Sequence, residues 1–300
     1  MQTPWGELAV GDAHVHYFSR QFFAALGAQG GKTAEQVAEV TGWNLPPEDP
    51  AELARNWIAE LDGHGVRRAA LIASVPGDEA SVEVAVNAFP DRFFGYFMIN
   101  PMEHDAVARA QIALRCGLHA VCLFPVMHRY SIQDPKAVAV IEAVAGYRGR
   151  GVFVHCGILT VGVRKKLRLP SPFDMRFSNP VDLHSVALRF PAVKFVVPHF
   201  GAGYLREALM LCDLCPNVLL DTSSSNSWMR YEGLDLKTVL RRALDVVGGQ
   251  RLLFGTDSSF FPRGWNYEVY EAQTRALLDL GISSTDARSI LEENLPRMFE

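Results

Sequence analysis

Eight short apolar runs, each followed by a longer stretch with helical periodicity, recur along the whole chain, and nothing else in it restricts the fold as much. The runs cover residues 8–14, 68–73, 93–99, 120–124, 151–155, 193–198, 218–221 and 251–255. Buried parallel strands read as continuous apolar runs because helices cover the sheet on its outer side. Strands alternating with helical patterns read as βαβ units. The helical stretches carry their own start signals. Asp49-Pro50-Ala51-Glu52 offers an N-cap, a first-turn proline and a reciprocal Glu ahead of Leu53, Trp57, Ile58 and Leu61. Ser284 is expected to cap the last helix, and Asn179-Pro180 to start the one after the fifth run. An open, doubly wound sheet would carry a G-x-G-x-x-G turn after its first strand, and none is found. The expectation is α/β: one (β/α)8 TIM-barrel domain over residues 1–300, a length that buries a full core.

Two connections exceed what a minimal barrel needs. Residues 17–48 separate the first strand from its helix. Residues 157–180 follow strand five and carry Arg164, Lys165, Lys166 and Arg168. Loops of this length are commonly lids or binding loops. As extended βα loops after strands 1 and 5 they are rim insertions on the face where barrels place their sites.

His14-Val-His16 stands at the end of the first run. Residues two apart in a strand project to one side, so both imidazoles reach the same face. His155 ends the fifth run, His199 the sixth and Asp257 the eighth, each read as in phase with an inward residue two positions earlier. Polar groups rarely end buried strands without partners. Imidazole nitrogen with carboxylate oxygen suits zinc, and manganese or iron as further options. The reading is one divalent metal held by His14, His16, His155 and Asp257, with a metal-activated water. Asp257 doubles as a proton acceptor, and His199 acts as acid, base or polarising donor.

The runs GDAHVH, AVCLFP, GVFVHCG, FPAVKFVVPHFGAGY, NVLLDTS, LLFGTDSSF and ILEENLPRMF, in this order, resemble the amidohydrolase superfamily. Within it they are similar to the amidohydrolase-related branch that includes the aminocarboxymuconate-semialdehyde decarboxylase-like proteins. The resemblance implies a metal-dependent TIM barrel with the same ligand set and His199 as the catalytic histidine. Many members of the superfamily carry a bridging carbamylated lysine on strand four, and related sequences read K-L-H-P there. Cys122 and Phe124 stand at those lysine and histidine positions, which points to one metal rather than two. With Leu123 facing inward, Cys122 would face outward and serve as core packing.

Arg20, His128, Arg129 and the run Arg164 to Arg168, Arg20 and Arg164 first, are candidates to hold a substrate carboxylate, and Phe124 and Trp265 to wall a planar substrate. Trp43, Phe173 and Phe260, also on the rim loops, are further candidates for that wall. Three functions follow in order: a metal-dependent hydrolase of a small carboxylate-bearing molecule; a non-oxidative decarboxylase of an aromatic or muconate-like acid; a barrel that binds a ligand without turnover. A net charge of −4 gives no basic field for nucleic acid or anionic membrane. No run of 18 apolar residues suits a membrane span, and no leader pattern is visible. The five cysteines, odd in number, read as reduced thiols of a cytoplasmic protein, and a homodimer is expected from the resemblance.

Overall fold

The computed structural model describes residues 1–224 and 226–300. Eight parallel strands pair in chain order: β1 (Gly11–Tyr17), β2 (Arg68–Ala73), β3 (Phe93–Met98), β4 (Ala120–Leu123), β5 (Gly151–Val154), β6 (Lys194–Val197), β7 (Val218–Asp221) and β8 (Leu252–Leu253). The sheet's two edges then meet. Val15 bridges Ser258. Ala13 N–H donates to Phe254 O at 2.8 Å, His16 N–H to Ser258 O at 2.7 Å, and Asp257 N–H to His14 O at 3.0 Å. The result is the TIM barrel that the alternating pattern predicts.

Alternation along each strand sorts the core into two layers. Val152 and Val154 face the surrounding helices, while Phe153 joins Ile72, Tyr96, Met98, Val196 and Leu253 inside the barrel. Leu295 and Met298, from the last helical segment, fill the floor. Gly151 makes that possible, since a Cβ there would lie 2.3 Å from Met298 Cε. Each such buried side chain contributes on the order of 1.5–3 kcal/mol.

Some boundaries differ from the sequence reading. β1 runs from Gly11 to Tyr17 rather than over residues 8–14, so His14 and His16 lie within it. Leu8 is apolar because its side chain is buried in the core outside the sheet: its N–H donates to Met1 O, and the barrel register starts at Gly11 opposite Arg68. A register shift between Asp12 and Val15 adds a bulge. β8 shrinks to two residues. On β4 the facing is reversed: Cys122 points into the barrel and Leu123 toward the helices. Cys122 is thus core packing, as read, but on the inner side. The last helical region is capped by Ser283, which accepts from Asp286 N, rather than by Ser284. The Asp49 cap holds, its carboxylate accepting from Ala51 N at 2.9 Å at the start of the Pro50–His64 helix. Asn179 likewise accepts from Val181 N, though the turn it opens is 3-10.

The two insertions are built together. Residues 17–48 hold helices Arg20–Ala28 and Ala34–Thr41. Phe22, Phe23, Leu26 and Val37 from these pack with Val163 and Leu167 of the second insertion. Lys166 Nζ donates to Thr41 O at 3.0 Å. Shared apolar burial makes one roof of two loops. Among the described residues, no helix is long and apolar enough to cross a membrane, and the five cysteines are free thiols.

Candidate functional site

His14, His16, His155, His199 and Asp257 all line one cavity of about 460 Å³ at the C-terminal mouth of the barrel. They reach it by different routes. The bulge in β1 turns His14 and His16 inward. His155 follows the last residue of β5 and continues its alternation. His199 does not continue β6, because Val197 faces the helices and Val196 faces in. Pro198 ends the strand and His199 takes a left-handed φ of 53°, which aims its ring at the cavity. Asp257 also sits at positive φ, 59°. Such conformations cost on the order of 1–3 kcal/mol and persist where surrounding structure enforces them.

Hydrogens in this site are assigned from the bonding network. Ser74 Oγ donates to Ile72 O at 3.0 Å, so its contact with His16 Nδ1 at 2.7 Å must be one in which the imidazole donates. His14 Nδ1 lies 2.6 Å from Asp221 Oδ2, a carboxylate that only accepts, so it too carries the hydrogen. Both neutral rings therefore present bare Nε2 atoms, and these are 3.3 Å apart. Asp257 Oδ1 stands 3.2 Å from His16 Nε2 and 3.7 Å from His14 Nε2. Three lone-pair donors converge with no hydrogen among them. These ligand atoms lie within 4.8 Å of one another. Like-polarity lone pairs at this spacing are tolerated only around a positive charge, so the donor set fits a divalent cation of the zinc class.

The proton affinities agree. Burial works against a charged His14, yet the Asp221 carboxylate beside it wins and raises its pKa. Burial opposes ionised Asp257 as well, but where no metal is bound a proton taken up by the His16 or His14 imidazole bonds to and attracts the carboxylate, which holds its pKa far below the usual range. Burial lowers His16, and likewise His199. A proton on His14 and a metal ion are alternative occupants of one place. Behind His14, Asp221 is wholly buried; burial pushes its carboxyl up, and the His14 charge and hydrogen bond bring it net below the ordinary value.

His155 stands apart from this trio. Its ring stacks on Phe124 at 5.3 Å between centroids and lies 5.4 Å from the His199 ring. Among the described residues its buried Nδ1 has no partner, whereas His14 and His16 each have one. Burial drives its pKa well down, so it stays neutral and able to donate a lone pair.

Above the polar floor the wall is apolar, formed by Met98, Phe124, Met127, Ile158, Leu159 and Trp228, with Phe18, Phe22, Trp43 and Phe260 under the roof. Trp43 stacks on Phe260 at 4.3 Å. The cations at the mouth are Lys166, 5.7 Å above the Trp43 ring, and Arg263, 4.6 Å above Phe260. Arg263 Nη2 also donates to Asp257 O at 3.0 Å and Ser259 Oγ at 2.8 Å. Of the predicted substrate contacts, Phe124, Trp43, Phe260 and Lys166 line the cavity, whereas Arg20, His128, Arg129, Arg164, Phe173 and Trp265 do not. Arg20 pairs with Glu35 on the outer side of the roof. Arg164 bonds Pro170 O and Gln29 Oε1, neither of which lines the cavity. Trp265 is buried, and its Nε1–H donates to Asp12 Oδ2 at 2.7 Å. Sequence reasoning missed Ser74, Asp221, Ser223 and Arg263. Of these only Asp221 had a visible signal, a carboxylate closing the apolar run 218–221 as Asp257 follows the run 251–255.

The Amidohydrolase family model matches residues 11–300. Among curated proteins, Protein fluG of Emericella nidulans is 38% identical over 135 residues. That match covers 41% of this chain but 15% of the fungal protein, so the chain corresponds to a small part of it. Three solved structures share the fold over nearly all of both chains. An uncharacterized TIM-barrel protein of Bordetella bronchiseptica has a TM-score of 0.66 at 19% identity, covering 96% of this chain and 97% of that one. A probable 2-pyrone-4,6-dicarboxylic acid hydrolase of Acinetobacter baumannii, with citric acid bound, gives 0.63 at 16%, covering 97% and 99%. A 2,6-dihydroxybenzoate decarboxylase complexed with 2,6-dihydroxybenzoate gives 0.60 at 15%, covering 100% and 99%.

Proposed function

This chain belongs to the amidohydrolase family, and on that premise we propose that it is a metal-dependent hydrolase of a small molecule with an apolar body and one anionic group. The observation that carries this reading is the convergence of His14 Nε2, His16 Nε2 and Asp257 Oδ1, with the imidazole hydrogens assigned to the opposite ring nitrogens by Asp221 and Ser74. These residues would hold one divalent cation, zinc first, with His155 as the fourth donor. A bound cation would supply Lewis acidity toward a water and a substrate carbonyl. Asp257 accepts the proton that the attacking water sheds, and His199 addresses the substrate oxygen or leaving atom. Lys166 and Arg263 hold the anionic group at the mouth, and the apolar wall excludes bulk water.

The test loads chelator-stripped protein with zinc and assays a panel of lactones, esters and amides of aryl acids. Metal-dependent hydrolysis is expected, abolished in His199→Asn with zinc content retained. Failure to take up a divalent metal would end the reading, and loss of zinc in His199→Asn would make that residue a ligand.

Decarboxylation is the second reading, and the apolar wall favours it. A carboxylate pressed against Met98, Phe124 and Trp228 loses hydration that neutral carbon dioxide does not need. Carbon dioxide release from hydroxybenzoates, with no lactone or ester turnover, would select it.

A further inference from the structure

The hydrogen inventory reaches one residue further, to Ser223, whose Oγ stands 3.0 Å from His14 Nδ1 and 2.9 Å from His199 Nδ1. We propose that Ser223 is a positioning residue that fixes His199 as an N–H donor toward the cavity; this rests on the reading of His199 as the group that meets the substrate. His14 Nδ1 already carries a hydrogen, directed at Asp221, so it cannot accept one from Ser223. Ser223 Oγ accepts on that side; the Asp221 carboxylate, which the serine side chain also neighbours, already takes hydrogens from His14 Nδ1 and Ser223 N–H, so the hydroxyl hydrogen is directed to His199 Nδ1, 2.9 Å away. An imidazole that accepts at Nδ1 carries its own hydrogen at Nε2, the nitrogen left to the cavity.

The surroundings hold each member in place. Ser223 N–H donates to Asp221 Oδ1 at 2.6 Å, which sets the serine. The backbone at His199 is fixed by a tight left-handed turn, in which Gly201 N–H donates to Pro198 O at 2.9 Å and Ala202 N–H to His199 O at 2.8 Å. The only other acceptor near His199 Nδ1, among the described residues, is the Ser223 carbonyl at 3.5 Å. A carbonyl can take a hydrogen and cannot give one. The hydroxyl therefore decides the tautomer: with it, Nε2–H; without it, Nδ1–H.

The chemical consequence concerns which group does what. A neutral His199 with hydrogen at Nε2 polarises a substrate oxygen by donating a hydrogen bond, and no bond to hydrogen need break. It cannot take the first proton from the attacking water, so that task falls to Asp257.

The tautomer is readable without substrate or metal. The full chain, labelled with nitrogen-15 in histidine and stripped with chelator, is examined by long-range proton–nitrogen correlation at pH 8, with His199→Asn assigning the signal. In the native chain the bare-nitrogen shift is expected at Nδ1. In Ser223→Ala it moves to Nε2, and in Ser223→Thr, which keeps a hydroxyl, it stays at Nδ1. A native signal bare at Nε2, or no change in the alanine variant, overturns the proposal. If the alanine variant does not fold, the native spectrum alone still decides the direction of the bond. None of these outcomes depends on hydrolysis, so an absence of turnover would sink the functional reading and leave this one standing.

Discussion

Replacing Asp221 tests the hydrogen assignments most sharply, because asparagine and alanine should fail in opposite ways. The carboxylate is fully buried and accepts from His14 Nδ1 and from Ser223 N, each at 2.6 Å. In Asp221→Asn the amide oxygen stays on the backbone N–H of Ser223, which cannot turn, and the amide NH2 meets His14 Nδ1. Facing a donor, the imidazole moves its hydrogen to Nε2, into the space shared with His16 and Asp257. Binding zinc then requires orphaning a buried donor, at about 1–3 kcal/mol. Losing the carboxylate behind a ligand costs a further 10–100-fold, roughly 1.4–2.7 kcal/mol. The sum, about 2.5–5.5 kcal/mol, predicts zinc affinity lower by roughly 100-fold to 10,000-fold. In Asp221→Ala the His14 hydrogen keeps Ser223 Oγ at 3.0 Å, so Nε2 stays bare and only the roughly 10–100-fold term applies. Stability without metal runs the other way. Alanine forfeits both charge-assisted bonds, about 3–6 kcal/mol, and asparagine about half of that. Competition with a chromophoric chelator gives the affinities, and urea unfolding gives the stabilities. An alanine variant that binds zinc more weakly than the asparagine variant would refute the assignment.

Three further outcomes follow from the geometry. Trp265→Phe removes the indole donor to Asp12 and should cost about 2–4 kcal/mol in urea unfolding while leaving the affinity for a probe such as 3-phenylpropanoate unchanged; weakened probe binding would return Trp265 to the substrate. Gly157 sits at φ 76°, where a Cβ would lie 2.2 Å from Gly201 O. Gly157→Ala should therefore displace the turn that carries His199 and destabilise by about 3 kcal/mol or more, read by urea unfolding and by loss of the native His199 nitrogen shifts. Burial, with Arg150 nearby, pushes His119 from 6.5 down to about 4. The neutral ring is what accepts from Gly95 N–H. Because the unfolded chain binds this proton first, the stabilisation is whole above about pH 6.5 and about 3 kcal/mol of it is lost as pH falls toward 4. Unfolding free energy measured across that window should slope less in His119→Gln, and an unaltered slope would contradict the assignment.

What could be read from the sequence was set by how local the causes are. The barrel was legible because each of its strands is an apolar run in its own right. The start of β1 was not, since Leu8 is buried without belonging to the barrel pairing, and Val10 joins it only through its carbonyl, which accepts from Arg67 N and Arg68 N. His14, His16 and Asp257 announced themselves as polar groups at strand ends. Asp221 had the same signal and was passed over, because it acts on the back of His14 rather than in the cavity. Hydroxyls such as Ser74 and Ser223 have no signature at all, since serine ends strands for many reasons. The cations were legible in part: Lys166, within the basic run of the second insertion, lines the cavity, and Arg263 carried no signal. Arg20 and Arg164 sit on the right loops, but Glu35 takes one and the Pro170 carbonyl the other. Lys166 faces the mouth because Thr41 and Trp43 of the other insertion lie beside it, a relation between segments 125 positions apart.

The site's position on the seam between β1 and β8 is a consequence of how the barrel closes. β8 offers only Leu252 and Leu253 for pairing with β7, and residues 254–258 reach β1 through backbone bonds that side chains reinforce. Asp12, wholly buried, accepts from His14 N at 2.9 Å, from Thr256 N at 3.1 Å, from the Thr256 hydroxyl and from Trp265 Nε1. Burial in the closed seam pushes its carboxyl up to about 6 in spite of these donors. The same seam carries the bond from Asp257 N–H to His14 O. Any slip of the last strand against the first would move the Asp257 carboxylate relative to both imidazoles by the same amount. Barrel closure and the convergence of the three donors are thus one geometric condition, and a residue such as Asp12, which never touches the cavity, holds both.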